Sequence, residues 1–205
     1  MKRKMVRSWQ KSFVLLKKVA MIILYGVAFA FFLSELALLI MKRSGGGSSP
    51  RKGERFSLVL LWIAIPGSLT AAFFLGHHGD WTIYHWARAL AGISVFVAGV
   101  VLRWKAILQL KHFFTVDVAL SAGHQLITTG LFRRVRHPSY SGLLLMMTGL
   151  GLAMNDSFSF MAAVLPFLIA LLYRIRVEER MMEKEFGEHY REYAGRTARL
   201  FPGLF

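Results

Sequence analysis

The run from Val19 to Met41 is apolar apart from Glu35, and two further runs follow it, from about Ser57 to Gly76 and from about Trp86 to Leu110. A helix needs about 20 mostly apolar residues to cross the hydrocarbon core of a bilayer. Three such runs require a chain that folds in lipid. With 55% hydrophobic and only 18% charged residues in 205, no stretch is left over for a separate soluble domain. The chain therefore reads as one integral membrane domain over residues 1–205, with N-terminal spans in 1–90 and a functional half in 91–205.

The first run is too long for a signal peptide, and no small-residue cleavage site follows it. Ser44 to Pro50 is a Gly/Ser connector. Pro66-Gly67 should kink the second run, and Gly92 and Gly99 offer close-packing points on the third. Residues 111–139 have no clean period and are punctuated by Gly123 and Gly130, which suggests a structured interfacial loop. Two shorter runs, Tyr140 to Met154 and Phe158 to Tyr173, flank the turn signal Asn155-Asp156-Ser157 and predict a tight helical hairpin. Arg174 to Ala194 is polar, with Val177, Met181, Phe186 and Tyr190 near helical spacing, and predicts an amphipathic helix leaving the membrane. The expected fold is all-α and polytopic: about five transmembrane helices, an interfacial loop and a C-terminal amphipathic helix.

The net charge of +15 comes from 26 Lys and Arg against 11 Asp and Glu. The bases lie beside apolar runs, as in Lys42-Arg43 and Arg133-Arg134, where the positive-inside rule places them. Anionic lipid headgroups are the expected counter-charge, not nucleic acid. The loops 77–85 and 155–157 carry no Lys or Arg and should face outward. Residues 42–55, 111–139 and the tail then face the cytoplasm. Five spans would leave the N-terminus outside, against Lys2, Arg3, Lys4 and Arg7, so the orientation of the first segment stays open. The chain has no cysteine, which excludes disulfides and thiolate chemistry. His77 and His78 have no third ligand at metal spacing, so no metal site is expected.

A hairpin returns its second end beside its first. It should bring Arg133 to Gly142 against Arg174 to Arg180 at one membrane face. His137-Pro138-Ser139 also suits a plain helix start, and Arg133, Arg134 and Arg136 suit inside-facing anchors. Glu179 could pair with Arg176 on a solvated face. Yet carboxylates beside an anionic surface want cationic partners, and ionisable groups at the edge of a bundle are functional candidates.

His124-Gln-Leu-Ile-Thr-Thr-Gly130, Arg136-His-Pro-Ser-Tyr140 with Gly142, and Glu178-Glu179 followed by Phe186-Gly-Glu-His-Tyr190 resemble the isoprenylcysteine carboxyl methyltransferase family, to which the phospholipid methyltransferases are related. The resemblance covers roughly residues 99 to 202. It implies S-adenosylmethionine as cofactor, leaving as S-adenosylhomocysteine. It implies cofactor contacts at His124, Gln125, Leu126, Ile127, Phe132, His137, Pro138, Ser139, Tyr140 and Glu178, and substrate contact at Arg174. Arg136, Glu179 and Asp117 are additional candidates. Phe132 departs from the tyrosine common there, and Asp117 falls where some relatives have glutamine.

Such a site would methylate the carboxylate of a prenylated cysteine or a similar lipidic acid by in-line transfer at the cytoplasmic face. The membrane would be the inner membrane in a prokaryote and the endoplasmic reticulum in a eukaryote. An anionic acceptor needs no general base, so positioning carries most of the catalysis, and Arg174 suits a carboxylate. The alternatives are N-methylation of a phospholipid amine such as phosphatidylethanolamine, a lipid-binding scaffold, and a nicotinamide-dependent reductase. The last lacks a glycine-rich dinucleotide fingerprint.

Overall fold

The protein is described from a computed structural model over residues 22, 26–27, 29–38, 52–75, 83–110 and 126–203. The basic N-terminus, the Gly/Ser connector, His77 and His78, and the site candidates Asp117, His124 and Gln125 lie outside the described residues. The chain divides into two compact units, Met1–Met41 and Lys42–Phe205. In the first, helix α1 (Phe29–Leu38) is apolar. It buries Phe31, Glu35 and Leu38, one stripe at helical spacing.

The second unit holds α2 (Lys52–Leu75), α3 (Ile83–Leu110), α4 (Pro138–Ala153), α5 (Ser157–Phe186) and α6 (Glu188–Gly195), with a short 3-10 turn at Gly130–Arg133. Among the described residues, three stretches are long and apolar enough to cross a membrane: Arg55–Leu75, Ala87–Leu110 and Ser157–Phe186. The protein is an integral membrane protein of helical build. α2 and α3 follow the second and third apolar runs. α4 has 16 residues, about 24 Å at 1.5 Å per residue, too short to span alone. Its buried residues form a broad face that includes Leu143, Met146, Met147 and Leu150. Protein, not lipid, covers most of its surface.

α3 and α4 pack antiparallel through paired glycines. A Cβ at Gly92 would lie 2.6 Å from the Gly149 oxygen, and one at Gly99 would lie 2.6 Å from the Gly142 oxygen. The reciprocal Cβ at Gly149 would lie 2.5 Å from the Gly92 oxygen. Seven residues separate the glycines on each helix, so the two contacts repeat along one face. Ala89, Phe96, Arg103 and Ala106 complete the buried stripe of α3. Close backbone approach of this kind replaces the missing hydrophobic drive between helices in lipid.

α2 packs on α5. The buried stripe of α2 is Ser57, Leu61, Ile65, Leu69 and Ala72; that of α5 is Ser159, Ala163, Phe167, Ala170, Leu171, Arg174 and Ile175. Pro66 and Pro166 both lie inside their helices and both are exposed, so neither ring intrudes on the seam.

The expected hairpin forms. Asn155 takes φ 60°, a left-handed value that asparagine tolerates. Asp156 caps α5 by accepting from the Ser159 amide at 2.6 Å and the Ser159 hydroxyl at 2.9 Å. The second arm differs from expectation. α5 does not stop at Tyr173 but runs 30 residues to Phe186, because Arg, Val, Glu, Met and Lys after Tyr173 carry the helix on. It breaks at Gly187, whose φ of 54° suits glycine. The expected amphipathic helix is accordingly shorter. It is α6, which buries Tyr190 and Tyr193 and exposes Glu188, His189, Arg191 and Glu192.

The final residues then return to the loop before α4. Arg136 N donates to Ala198 O at 2.8 Å, His137 N to Arg199 O at 3.1 Å, and Ala198 N to Arg134 O at 3.0 Å. The Ser141 hydroxyl donates to Leu200 O at 2.5 Å. This strap joins the start of α4 to the chain after α6.

Candidate active site

The two polar clusters meet where the hairpin arms return. His137 ends the loop as N-cap of α4, and Pro138 takes the first helical position, where a missing N–H costs nothing. The His137 carbonyl accepts from Tyr140 N and Ser141 N, each at 3.0 Å. One turn in, the Tyr140 hydroxyl donates to Glu178 Oε2 at 2.7 Å. The same hydroxyl accepts from Arg174 Nε at 3.3 Å. The His137 and Tyr140 rings stack, with centroids 5.6 Å apart and planes 24° apart.

Arg174 is 1% exposed, the largest fully buried side chain among the described residues. A buried cation within an apolar helix is costly unless it is held and used. Tyr140 and Ser57 both help to hold it, the Ser57 hydroxyl accepting from the guanidinium at 2.9 Å.

The neighbouring carboxylates have different surroundings. Glu179 accepts from Arg136 Nε at 2.9 Å and from Arg199 Nε at 2.9 Å. Two arginines from two loop segments thus converge on it and tie loop, helix and strap together. The expected pairing with Arg176 is not the one made; Arg176 is exposed. Glu178 accepts from Tyr140, and its Oε1 lies 3.7 Å from His137 Nδ1. His137 Nε2 lies 3.4 Å from Glu179 Oε1, yet it is buried without an aligned hydrogen bond among the described residues. Tyr190, on α6, likewise buries its hydroxyl without a partner among the described residues.

Arg136 also donates to Ala194 O at 2.6 Å and to Thr197 O. Tyr193 donates to Phe132 O at 2.7 Å, which fixes the 3-10 turn beneath α6. Burial pushes the Tyr193 hydroxyl up to about 12, with Arg136 and Arg196 pulling against it. Burial, then the charge on Glu179, also raises Tyr190.

The other expected residues are placed as follows. Phe132 is buried under Tyr193, and Leu126 and Ile127 are half-buried on the irregular stretch before the turn. Ser139 is buried, and its hydroxyl accepts from Arg103 at 2.8 Å. Four residues escaped the sequence reading. Arg103 carried a signal, a lone cation inside an apolar run. Gln109 clamps the turn, donating to Thr129 O at 2.6 Å and accepting from Leu131 N at 3.1 Å. Gln109, Ser57 and Arg199 gave no signal. Beside the cluster, a half-open cavity of about 670 Å³ is lined by Leu131, Arg133, Arg134, Val135, Leu200 and Phe201, among others. Arg133 and Arg134 are exposed there.

The arrangement can hold a charged or polar small molecule at Glu178 and His137, and an anionic group at Arg174, with Tyr140 between them. Comparison with known proteins gives the same region. The family model for phospholipid methyltransferase matches residues 87–189. Protein-S-isoprenylcysteine O-methyltransferase B of Arabidopsis thaliana is 31% identical over 115 residues, which is 55% of this chain and 58% of that protein. The cobalt-zinc-cadmium resistance protein CzcN of Cupriavidus metallidurans is 32% identical over 149 residues, 70% of this chain and 63% of that one. Among solved structures, the eukaryotic intramembrane Ras methyltransferase ICMT (isoprenylcysteine carboxyl methyltransferase) superposes with a TM-score of 0.55 at 26% identity, over 73% of this chain and 52% of the other. The chain thus spans between half and two thirds of the length of these relatives.

Proposed function

The chain belongs to the phospholipid methyltransferase family, and on that footing we propose that it is an S-adenosylmethionine-dependent O-methyltransferase of a lipidic carboxylate, such as that of a prenylated cysteine. One observation carries the choice of acceptor. Arg174 is buried at the polar end of α5 and is linked through a single hydroxyl, that of Tyr140, to the carboxylate Glu178.

The residues suit the cofactor. Glu178 offers carboxylate oxygens to an ammonium or a ribose, with charge assistance. His137 Nε2 has hydrogen-bonding capacity left over, and buried polar atoms ordinarily find partners. When bound, S-adenosylmethionine supplies a methyl group already activated by its sulfonium. Arg174 would orient the acceptor carboxylate, perpendicular motion being limited by Ser57 and Tyr140. Tyr140 keeps the acceptor and cofactor subsites adjacent. Positioning and exclusion of water then supply the catalysis, and well-aligned reactions gain about 7–11 kcal/mol this way. The lipid tail enters between the helices and the cofactor from the cytoplasmic side. Arg133 and Arg134, at the mouth of the neighbouring cavity, would meet anionic headgroups.

The matched family description favours a second reading, N-methylation of a phospholipid amine such as phosphatidylethanolamine. An amine must lose a proton and gains nothing from Arg174. Incubation of the purified chain with labelled S-adenosylmethionine and either a farnesylcysteine analogue or phosphatidylethanolamine separates the two. Base-labile label on the farnesylcysteine analogue is expected. Label on the phospholipid alone rejects the carboxylate.

A further inference from the structure

We infer that Ser57, on α2, is a positioning residue for acceptor recognition: it fixes the guanidinium of Arg174 in the plane that receives the carboxylate. This rests on the carboxylate reading above and adds a helix to the site, because Ser57 lies 30 residues before the family match begins at residue 87.

The geometry is specific. Ser57 is 0% exposed and its hydroxyl accepts from Arg174 Nη1 at 2.9 Å. Tyr140 accepts from Nε of the same guanidinium at 3.3 Å. Two nitrogens held by two helices define the plane of a rigid fork. Recognition of a carboxylate by arginine depends on that plane, since the paired N–H bonds must lie in it. A long arginine stem carries about 2 kcal/mol of rotamer entropy, so each bond to the guanidinium narrows the orientations in which it meets the acceptor.

The adjacent residues fix the same level of the seam. Phe56 meets Tyr173 edge-on, with ring centroids 6.0 Å apart and planes at 84°. Consecutive residues on α2 therefore engage consecutive residues on α5, and a slip of either helix would break both contacts. The hydrogen bonds also have a direction. Arg174 donates to Tyr140, and Tyr140 donates to Glu178. Ser57 is the anchor at the far end of that chain from the cofactor carboxylate.

Ser68 provides an internal control. It is the other buried serine of α2, at 3% exposure, and its hydroxyl has no partner among the described residues.

The full chain in lipid vesicles is titrated with a farnesylcysteine analogue at saturating S-adenosylmethionine, and cofactor affinity is measured separately. Ser57→Ala should raise KM for the acceptor about tenfold or more, as loss of a hydrogen bond to a charged group does. Its cofactor affinity should be parental, with Ser68→Ala parental in every respect. Parental KM in Ser57→Ala, with the parent active on the carboxylate, overturns the inference and leaves the carboxylate reading standing. An equal rise in Ser68→Ala overturns it too, since the effect is then one of helix packing. Should Ser57→Ala lose cofactor binding, Ser57→Thr decides. Recovery of KM with the hydroxyl restored supports the inference, and failure to recover overturns it. A parent active only on phosphatidylethanolamine overturns both readings.

Discussion

The α3–α4 seam and the α2–α5 seam are both antiparallel helix contacts, and both end in a buried arginine at the same face. Their interiors differ. α3 and α4 approach through glycines, backbone against backbone, and Arg103 closes that seam on Ser139. α2 and α5 approach through side chains, and Arg174 closes theirs on Ser57 and Tyr140. The first arrangement fixes distance and tolerates no added atom. The second leaves room for side chains to reach across and fixes orientation. The same residue type thus braces a glycine seam in one case and, on the proposed function, meets the acceptor in the other.

The widest test of that contrast is Arg174→Gln. It should lower kcat/KM for a carboxylate acceptor by about a hundredfold or more, because a desolvated charged partner is worth roughly 2–5 kcal/mol. Cofactor affinity should stay parental by calorimetry. A loss of cofactor binding instead would make Arg174 a brace like Arg103. Next, Glu178→Gln should weaken the cofactor about tenfold to a hundredfold, the worth of a charged hydrogen bond, whereas Glu179→Gln should lower thermal stability and spare cofactor affinity once folded. Reversed outcomes would exchange the roles of the two carboxylates.

Gly149→Ala attacks the other seam. Its Cβ would stand 2.5 Å from Gly92 O, so the helices must part. Overpacking typically costs about 1–3 kcal/mol, read as a lower unfolding temperature in detergent with activity per folded molecule unchanged. Parental stability would show that the seam has slack. The smallest effect is expected outside the helices that span. Tyr193→Phe removes the bond to Phe132 O, at about 1 kcal/mol. The pH dependence follows from its raised hydroxyl. Below the unfolded value of about 10 the contribution of the neutral tyrosine is fully present. It is lost as the pH rises through about 12. Alkaline unfolding between those limits should therefore be shallower in Tyr193→Phe than in the parent, and identical profiles would remove Tyr193 from the account.

The helices were legible because apolar runs and turn residues are local. Asn155-Asp156-Ser157 announced the hairpin, and the hairpin alone predicted that Arg136 to Tyr140 would meet Arg174 to Glu179. The polar residues after Tyr173 suggest a boundary, but most of them favour a helix, so α5 continues. Ser57 and Arg199 left no trace in the sequence. Their partners lie 117 and 20 residues away, and a serine in an apolar run or an arginine in a basic tail looks ordinary. Arg103 could have been singled out by its lone charge, but not its partner.

The strap sets an order in time. The loop at Arg134 to His137 is completed by backbone partners on Ala194 to Arg199, and Arg136 reaches partners 58 and 61 residues further along the chain. A chain is made from its N-terminus, and earlier segments fold first. While the hairpin is already inserted, Arg136 and His137 still wait for the residues that will hold them. A ribosome that stalls between α5 and the strap would therefore leave an inserted protein whose loop before α4 is unfinished.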